Sequence, residues 1–133
     1  MKRSQLLGLG MALGLGLVAC DSAGPKQVYY GMATAAEMGD LDTFLEGFTK
    51  ESKQIVQAQL SLSDAYGLKN DNPVSLLVFS AVEDVEEKDD QAILTVTRGT
   101  VRKRILMVNV PDVGWRIDAK KLAEFWDDEK KKK

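Results

Sequence analysis

The stretch Gln91-Ala92-Ile93-Leu94-Thr95-Val96-Thr97-Arg98-Gly99-Thr100-Val101-Arg102-Lys103-Arg104-Ile105-Leu106-Met107-Val108-Asn109-Val110 decides the fold. Residues 91–98 alternate, so that Ala92, Leu94 and Val96 share one face of a strand and Ile93, Thr95 and Thr97 the other. Gly99-Thr100 turns the chain, and Val101 to Val110 reads as the return strand of a hairpin. Upstream, Ala81 to Glu87 predicts a strand closed by a Lys88-Asp89-Asp90 turn. Downstream, Pro111-Asp112-Val113-Gly114 turns again into a short strand, Trp115 to Asp118. The result is an antiparallel meander.

Helical patterns precede it. Val28, Met32, Ala35 and Ala36 recur at helical spacing within Gln27–Met38, and Gly39 stops that helix. Asp40 can cap a second helix carrying Leu41, Phe44, Leu45 and Phe48 at the i, i+3, i+4, i+7 positions. Thr49 can cap a third, with Ile55, Val56, Gln59 and Leu60, that runs to Tyr66 and ends at Gly67. Asn70-Asp71-Asn72-Pro73 is a loop and helix start, so Val74–Phe79, an apolar run that periodicity alone leaves open between helix and strand, is read as a short helix. Ala119 to Trp126, with Leu122, Phe125 and Trp126, predicts a closing helix. The fold class is therefore α+β, with N-terminal helices packed on a curved antiparallel β-sheet.

Several local phrases accompany this order: Gly39-Asp40-Leu41-Asp42, Thr49-Lys50-Glu51-Ser52, Asp89-Asp90-Gln91-Ala92-Ile93 and Gly114-Trp115-Arg116-Ile117-Asp118. Together they resemble the small exported lipoproteins of the nuclear-transport-factor-2-like superfamily over nearly all of the chain after the leader. The resemblance implies a cone-like domain whose helices and bent sheet enclose a pocket. It carries over no catalytic residue, because these phrases are turns and packing positions.

The chain begins with Lys2-Arg3 and an uncharged run from Leu6 to Ala19. About 14 residues at 1.5 Å each make about 21 Å of helix, short of a bilayer core of about 30 Å. The run therefore fits the apolar part of an export signal. It ends in Leu17-Val18-Ala19-Cys20, which resembles the lipobox of bacterial lipoproteins. The resemblance implies lipidation of the Cys20 thiol and cleavage before it. Two or three acyl chains would hold the chain at a bilayer, since each buried CH₂ contributes about 0.8 kcal/mol. Asp21 resembles the enteric signal for retention at the inner membrane, so the expected place is the bacterial cell envelope, with a lean to the inner membrane. The expected organisation is a signal over 1–19, a lipidated cysteine and tether over 20–26, one α+β domain over 27–126 and a charged tail over 127–133.

Composition narrows the chemistry. Among 133 residues there are 18 Lys+Arg, 20 Asp+Glu and no histidine. Without Lys2 and Arg3 the balance is 16 against 20, unlike a nucleic-acid binder with its clustered basic face. Histidine's absence removes the commonest general base and metal ligand, and a single cysteine allows neither an internal disulfide nor a cysteine-based zinc site. No cofactor is expected. Glu83, Asp84, Glu86, Glu87, Asp89 and Asp90 are acidic but lack a calcium-loop spacing, so they read as a solvated strand edge. Arg98, Arg102, Lys103 and Arg104 form a basic hairpin. Arg98, Arg102 and Arg104 are candidate contacts for an anionic ligand or partner, although cross-sheet pairing with the acidic strand is the favoured alternative. Tyr29, Tyr30, Tyr66, Trp115 and Trp126 could line a pocket, but are better read as core. Lys130 to Lys133 reads as a frayed, solvated tail.

These features lead to an expected membrane-anchored lipoprotein with a non-catalytic domain that binds a small apolar ligand or an envelope partner. One alternative is an isomerase-like proton-transfer enzyme, which would need a buried carboxylate beside a tyrosine in the cone. Another is an envelope-structural protein acting through its lysine-rich end.

Overall fold

The computed structural model describes residues 23–67 and 72–132. The segment expected to be an export signal, Cys20, Asp21, the Asn70-Asp71 part of the loop and Lys133 lie outside the described residues. Within them the order is α1 (Pro25–Glu37), α2 (Leu41–Leu45), α3 (Lys50–Ala65), α4 (Pro73–Leu77), β1 (Ala81–Lys88), β2 (Gln91–Arg98), β3 (Val101–Val110), β4 (Gly114–Arg116) and α5 (Ala119–Lys131). The strands form one antiparallel sheet in the order β1-β2-β3-β4.

The helices start where side-chain oxygens can accept from free backbone N–H groups. Asp40 accepts from the Thr43 amide at 3.2 Å and from the Thr43 hydroxyl at 2.7 Å. Those bonds hold its carboxyl below the usual range. Asn72 accepts from the Ser75 amide at 2.9 Å, and Asp118 from the Lys121 amide at 3.1 Å. Several boundaries differ from expectation. α2 ends at Leu45, leaving Phe48 to bridge Ile117 instead, and β4 covers Gly114–Arg116 because Asp118 is already the cap of α5. α1 begins at Pro25, inside the expected tether, because proline at the first helical position gives up an N–H that would be unpaired anyway. α4 ends at Leu77, and Val78 is already extended. α5 does not fray after Trp126 but continues through Asp127-Asp128-Glu129 to Lys131. There Lys130 and Lys131 sit favourably at the negative end of the helix dipole.

Cross-strand partners share a face, so the row Val85, Leu94, Ile105 and the pair Ala92–Met107 line the inner side of the sheet. Leu94, Val96, Ile105 and Met107 are fully buried there against Tyr29 and Met32 of α1 and Phe44 of α2. β1 bulges between Val82 and Asp84, leaving Glu83 unpaired and bending the strand. The helical layer is tied to the last strand through backbone. Gly47 accepts from the Ile117 amide at 2.8 Å, and Ile117 accepts from the Thr49 amide at 2.9 Å. Gly47 has to be glycine for packing reasons, because a Cβ there would overlap the buried Met32 side chain.

Tyr29 pins α1 to the segment between α4 and β1. Its hydroxyl donates to the Leu77 carbonyl at 2.6 Å and accepts from the Phe79 amide at 2.9 Å. Burial pushes the phenol from 10.0 up to about 12, against smaller opposing contributions from the Phe79 amide and Arg98. Tyr29→Phe is expected to cost about 1–3 kcal/mol by stranding two buried backbone groups. A pKa raised by folding stabilises the folded state fully below the unfolded value and is lost through the folded one. The stability margin of wild type over Tyr29→Phe should therefore hold below pH 10 and shrink towards pH 12, as read by urea unfolding at several pH values.

Candidate functional site

The space that the cone would enclose is occupied by side chains. Tyr29, Phe44, Leu94, Val96, Ile105, Met107 and Ile117 have essentially no accessible surface. The pocket implied by the resemblance is therefore closed by packing. Of the five aromatics considered for its lining, Tyr29 and Trp115 are core and Tyr30 and Trp126 are half-buried. Tyr66 is 74% exposed, which places it on the surface. Tyr30 accepts from the Val82 amide at 2.9 Å, so its hydroxyl holds β1 in place.

Every Asp and Glu among the described residues reaches the surface. Only Asp118 and Glu129 are half-buried, the first as a helix cap and the second in an ion pair. No carboxylate accompanies Tyr29 in the interior, so the arrangement needed for proton abstraction is missing among these residues. The acids of β1 lie exposed along an edge strand. They form no group of three metal-ligating side chains among the described residues.

The basic hairpin is dispersed. Arg98 donates to the Val78 carbonyl at 3.0 Å and lies over the Phe79 ring at 4.7 Å. Arg102 reaches across β2 to Glu83 at 3.0 Å, the cross-sheet pairing expected from the sequence. Both partners of that pair are well exposed, so it contributes at most about 1 kcal/mol. Arg104 pairs with Glu129 of α5 rather than with the acidic strand, and lies over Phe125 at 5.5 Å. The three arginines thus do not converge on one anion.

Arg98 shares the face of Val96 and so points away from Arg102 and Arg104, and α5, on the open flank of β3, takes Arg104. β4 pairs only with Val108–Val110, leaving the first half of β3 without a neighbouring strand. α5 covers that edge. The Trp126 indole N–H donates to the Arg104 carbonyl at 2.6 Å. Lys103, pointing to the face opposite Arg104, lays its ammonium over the Trp126 ring at 4.2 Å. The helix therefore touches side chains from both faces of the sheet. Sequence reasoning missed Lys103 as a site residue. Its only signal was alternation, which puts it on the face opposite Arg102 and Arg104.

Two hollows remain. One, of about 720 Å³, lies between α2, α3 and α4, with Leu41, Leu45, Leu60 and Val74 on its apolar side and Gln57, Ser61 and Asp64 at its polar side. The other, of about 820 Å³, lies between α4, the start of β3 and the end of α5. Beside the first hollow, on another flank of α3, Ile55, Leu62 and Tyr66 stand 50%, 56% and 74% exposed. Their i, i+7, i+11 spacing makes them one stripe.

No protein-family model, no curated protein and no solved structure matches this chain. The fold defines a class, an α+β protein whose helices lead into an open four-stranded antiparallel sheet.

Trp126→Phe keeps an aromatic ring but removes the indole donor. It is expected to destabilise the protein by about 1 kcal/mol. It should also speed hydrogen exchange at the outward amides of β3 while leaving β2 unchanged, as measured by amide exchange.

Proposed function

We propose that this chain is a bacterial envelope lipoprotein, anchored through acylated Cys20, whose exported domain binds a partner protein and performs no chemistry of its own. The anchor rests on the sequence. Cys20 is the only cysteine, it ends the apolar run, and Leu17-Val18-Ala19 precede it. The cone-like, nuclear-transport-factor-2-like arrangement belongs to the same reading, supported by the order of helices and meander.

One observation carries the binding mode: the interior is filled, while Ile55, Leu62 and Tyr66 remain in solvent on one flank of α3. A domain that spends its inner apolar surface on its own core can recognise others only from outside. A stripe of large exposed apolar side chains is the kind of surface that partners cover. The hollow between α2, α3 and α4 favours a second reading, a small apolar ligand. Its size falls within the roughly 300–1,000 Å³ usual for ligand sites.

Labelled palmitate should be incorporated by the wild type in bacterial cells and not by Cys20→Ala; equal labelling of the two would remove the anchor. A photoreactive residue placed at Leu62 should give one adduct of defined mass in the anchored protein, and the same residue at exposed Lys120 should give none. Absence of the Leu62 adduct, with a bound small molecule recovered from the purified protein, would favour the second reading.

A further inference from the structure

The hollow between α4, β3 and α5 differs in kind from the one beside α2. Arg102, Lys103, Arg104, Lys130 and Lys132 line it, against only Asp127 and Glu129. Glu129 is taken up by Arg104, and Arg102 by Glu83 outside the trough. That leaves three lysines in the lining against Asp127 alone, with none of the three in an ion pair among the described residues. The crowding is felt at Lys103, whose pKa is lowered by burial first and then by repulsion from Lys130 and Arg98. The walls add an apolar side: Leu76 of α4, Ala123 and the Trp126 ring.

We propose that this trough binds a phosphate-bearing ligand, with Lys103, Lys130 and Lys132 around the phosphate and Trp126, Leu76 and Ala123 against its organic body. The arginines, which would grip a planar carboxylate two-pronged, already hold carboxylates. What remains outside ion pairs is a set of point charges, Lys103 resting on one face of Trp126, suited to a compact group carrying up to about two negative charges on three oxygens. Three lysines against Asp127 leave a net charge of about two, which a doubly charged phosphate balances and a single carboxylate only halves. The hollow's 820 Å³ also exceeds what a bare phosphate fills, which gives the apolar wall a use. A bound anion would relieve the repulsion between Lys103 and Lys130.

Two sources share this chemistry: a soluble phosphate ester and the headgroup of an anionic phospholipid. The inference does not depend on the anchor, so unlabelled Cys20 would leave it standing. The test follows the Trp126 indole N–H resonance of the full-length chain in a neutral detergent. One arm is titrated with sodium pyrophosphate, the other with short-chain phosphatidylglycerol against phosphatidylcholine. Saturable shifts are expected, weakened about tenfold by Lys103→Gln or Lys130→Gln through loss of a charge-assisted contact, and unaltered by Lys120→Gln outside the trough. A response to pyrophosphate alone assigns a soluble ester. A response to phosphatidylglycerol but not phosphatidylcholine assigns a lipid headgroup. The proposal is overturned if neither ligand moves the resonance, if Lys120→Gln weakens binding as much as Lys103→Gln, or if only an oligoglutamate peptide binds.

Discussion

The hydroxyl of Tyr29 is the constraint on which the arrangement of the two layers depends. It takes one acceptor and one donor from a segment 48 and 50 residues away in sequence, and it does so in the interior. The segment it holds is where the chain stops being helical at Leu77 and begins the sheet at Ala81. A buried backbone carbonyl and amide at such a junction have no regular neighbour to pair with. One phenol satisfies both, so the crossover can be buried and α1 can lie on the inner face of the sheet. Tyr30 extends the same contact one residue further by accepting from Val82. Adjacent tyrosines on one helix thereby fix where β1 begins, and through β1 the register of the meander.

A second junction uses the same economy. Ser52 is buried, yet its hydroxyl oxygen accepts from the Ala119 amide and from the Thr49 hydroxyl, both at 2.8 Å. The start of α5 is thus bonded to the start of α3, next to the backbone contacts between Gly47, Thr49 and Ile117. With its first turn fixed there, α5 is directed back along β3, where Trp126 meets the Arg104 carbonyl. An uncovered β3 edge would present a row of unpaired backbone groups to other chains. On β1, the other edge, protection comes instead from exposed acids and a bulge.

The meander, the helix starts at Asp40, Thr49 and Asn72, and the inward row Ala92, Leu94 and Val96 were legible in the sequence because each depends on neighbours within a few positions. The cross-sheet pairing of Arg102 was legible too, since acidic and basic strands flank β2. What escaped was long-range. Ser52 looks like an ordinary polar helix residue, and nothing near it signals Ala119. Asp127-Asp128-Glu129 followed by lysines reads as a solvated run. Its helicity comes from an anchored first turn, from Trp126 on the β3 edge and from Glu129 on Arg104. The filled interior was also beyond composition, because packing density depends on how Met32, Phe44 and Met107 meet, not on how many apolar residues there are.

The layout of charge then bears on where such a domain could work. Ala23 and Val28 line a surface hollow with residues 109–116, which puts the beginning of α1 beside the far end of β3. The lysine trough opens at Lys103, six residues back along that strand, about 20 Å away at strand spacing. A tether of four residues from Cys20 to Gly24 reaches at most about 14 Å. If the chain is held at Cys20, the trough can meet its own bilayer only when β3 lies along the membrane rather than upright on it. In that orientation the trough would meet phospholipid headgroups only with its own side of the sheet turned towards them. Upright, it would face away from the membrane, towards soluble ligands. Under that anchoring, the tilt of the domain would decide which kind of phosphate the trough could meet, because Ala23 and Lys103 lie towards opposite ends of β3.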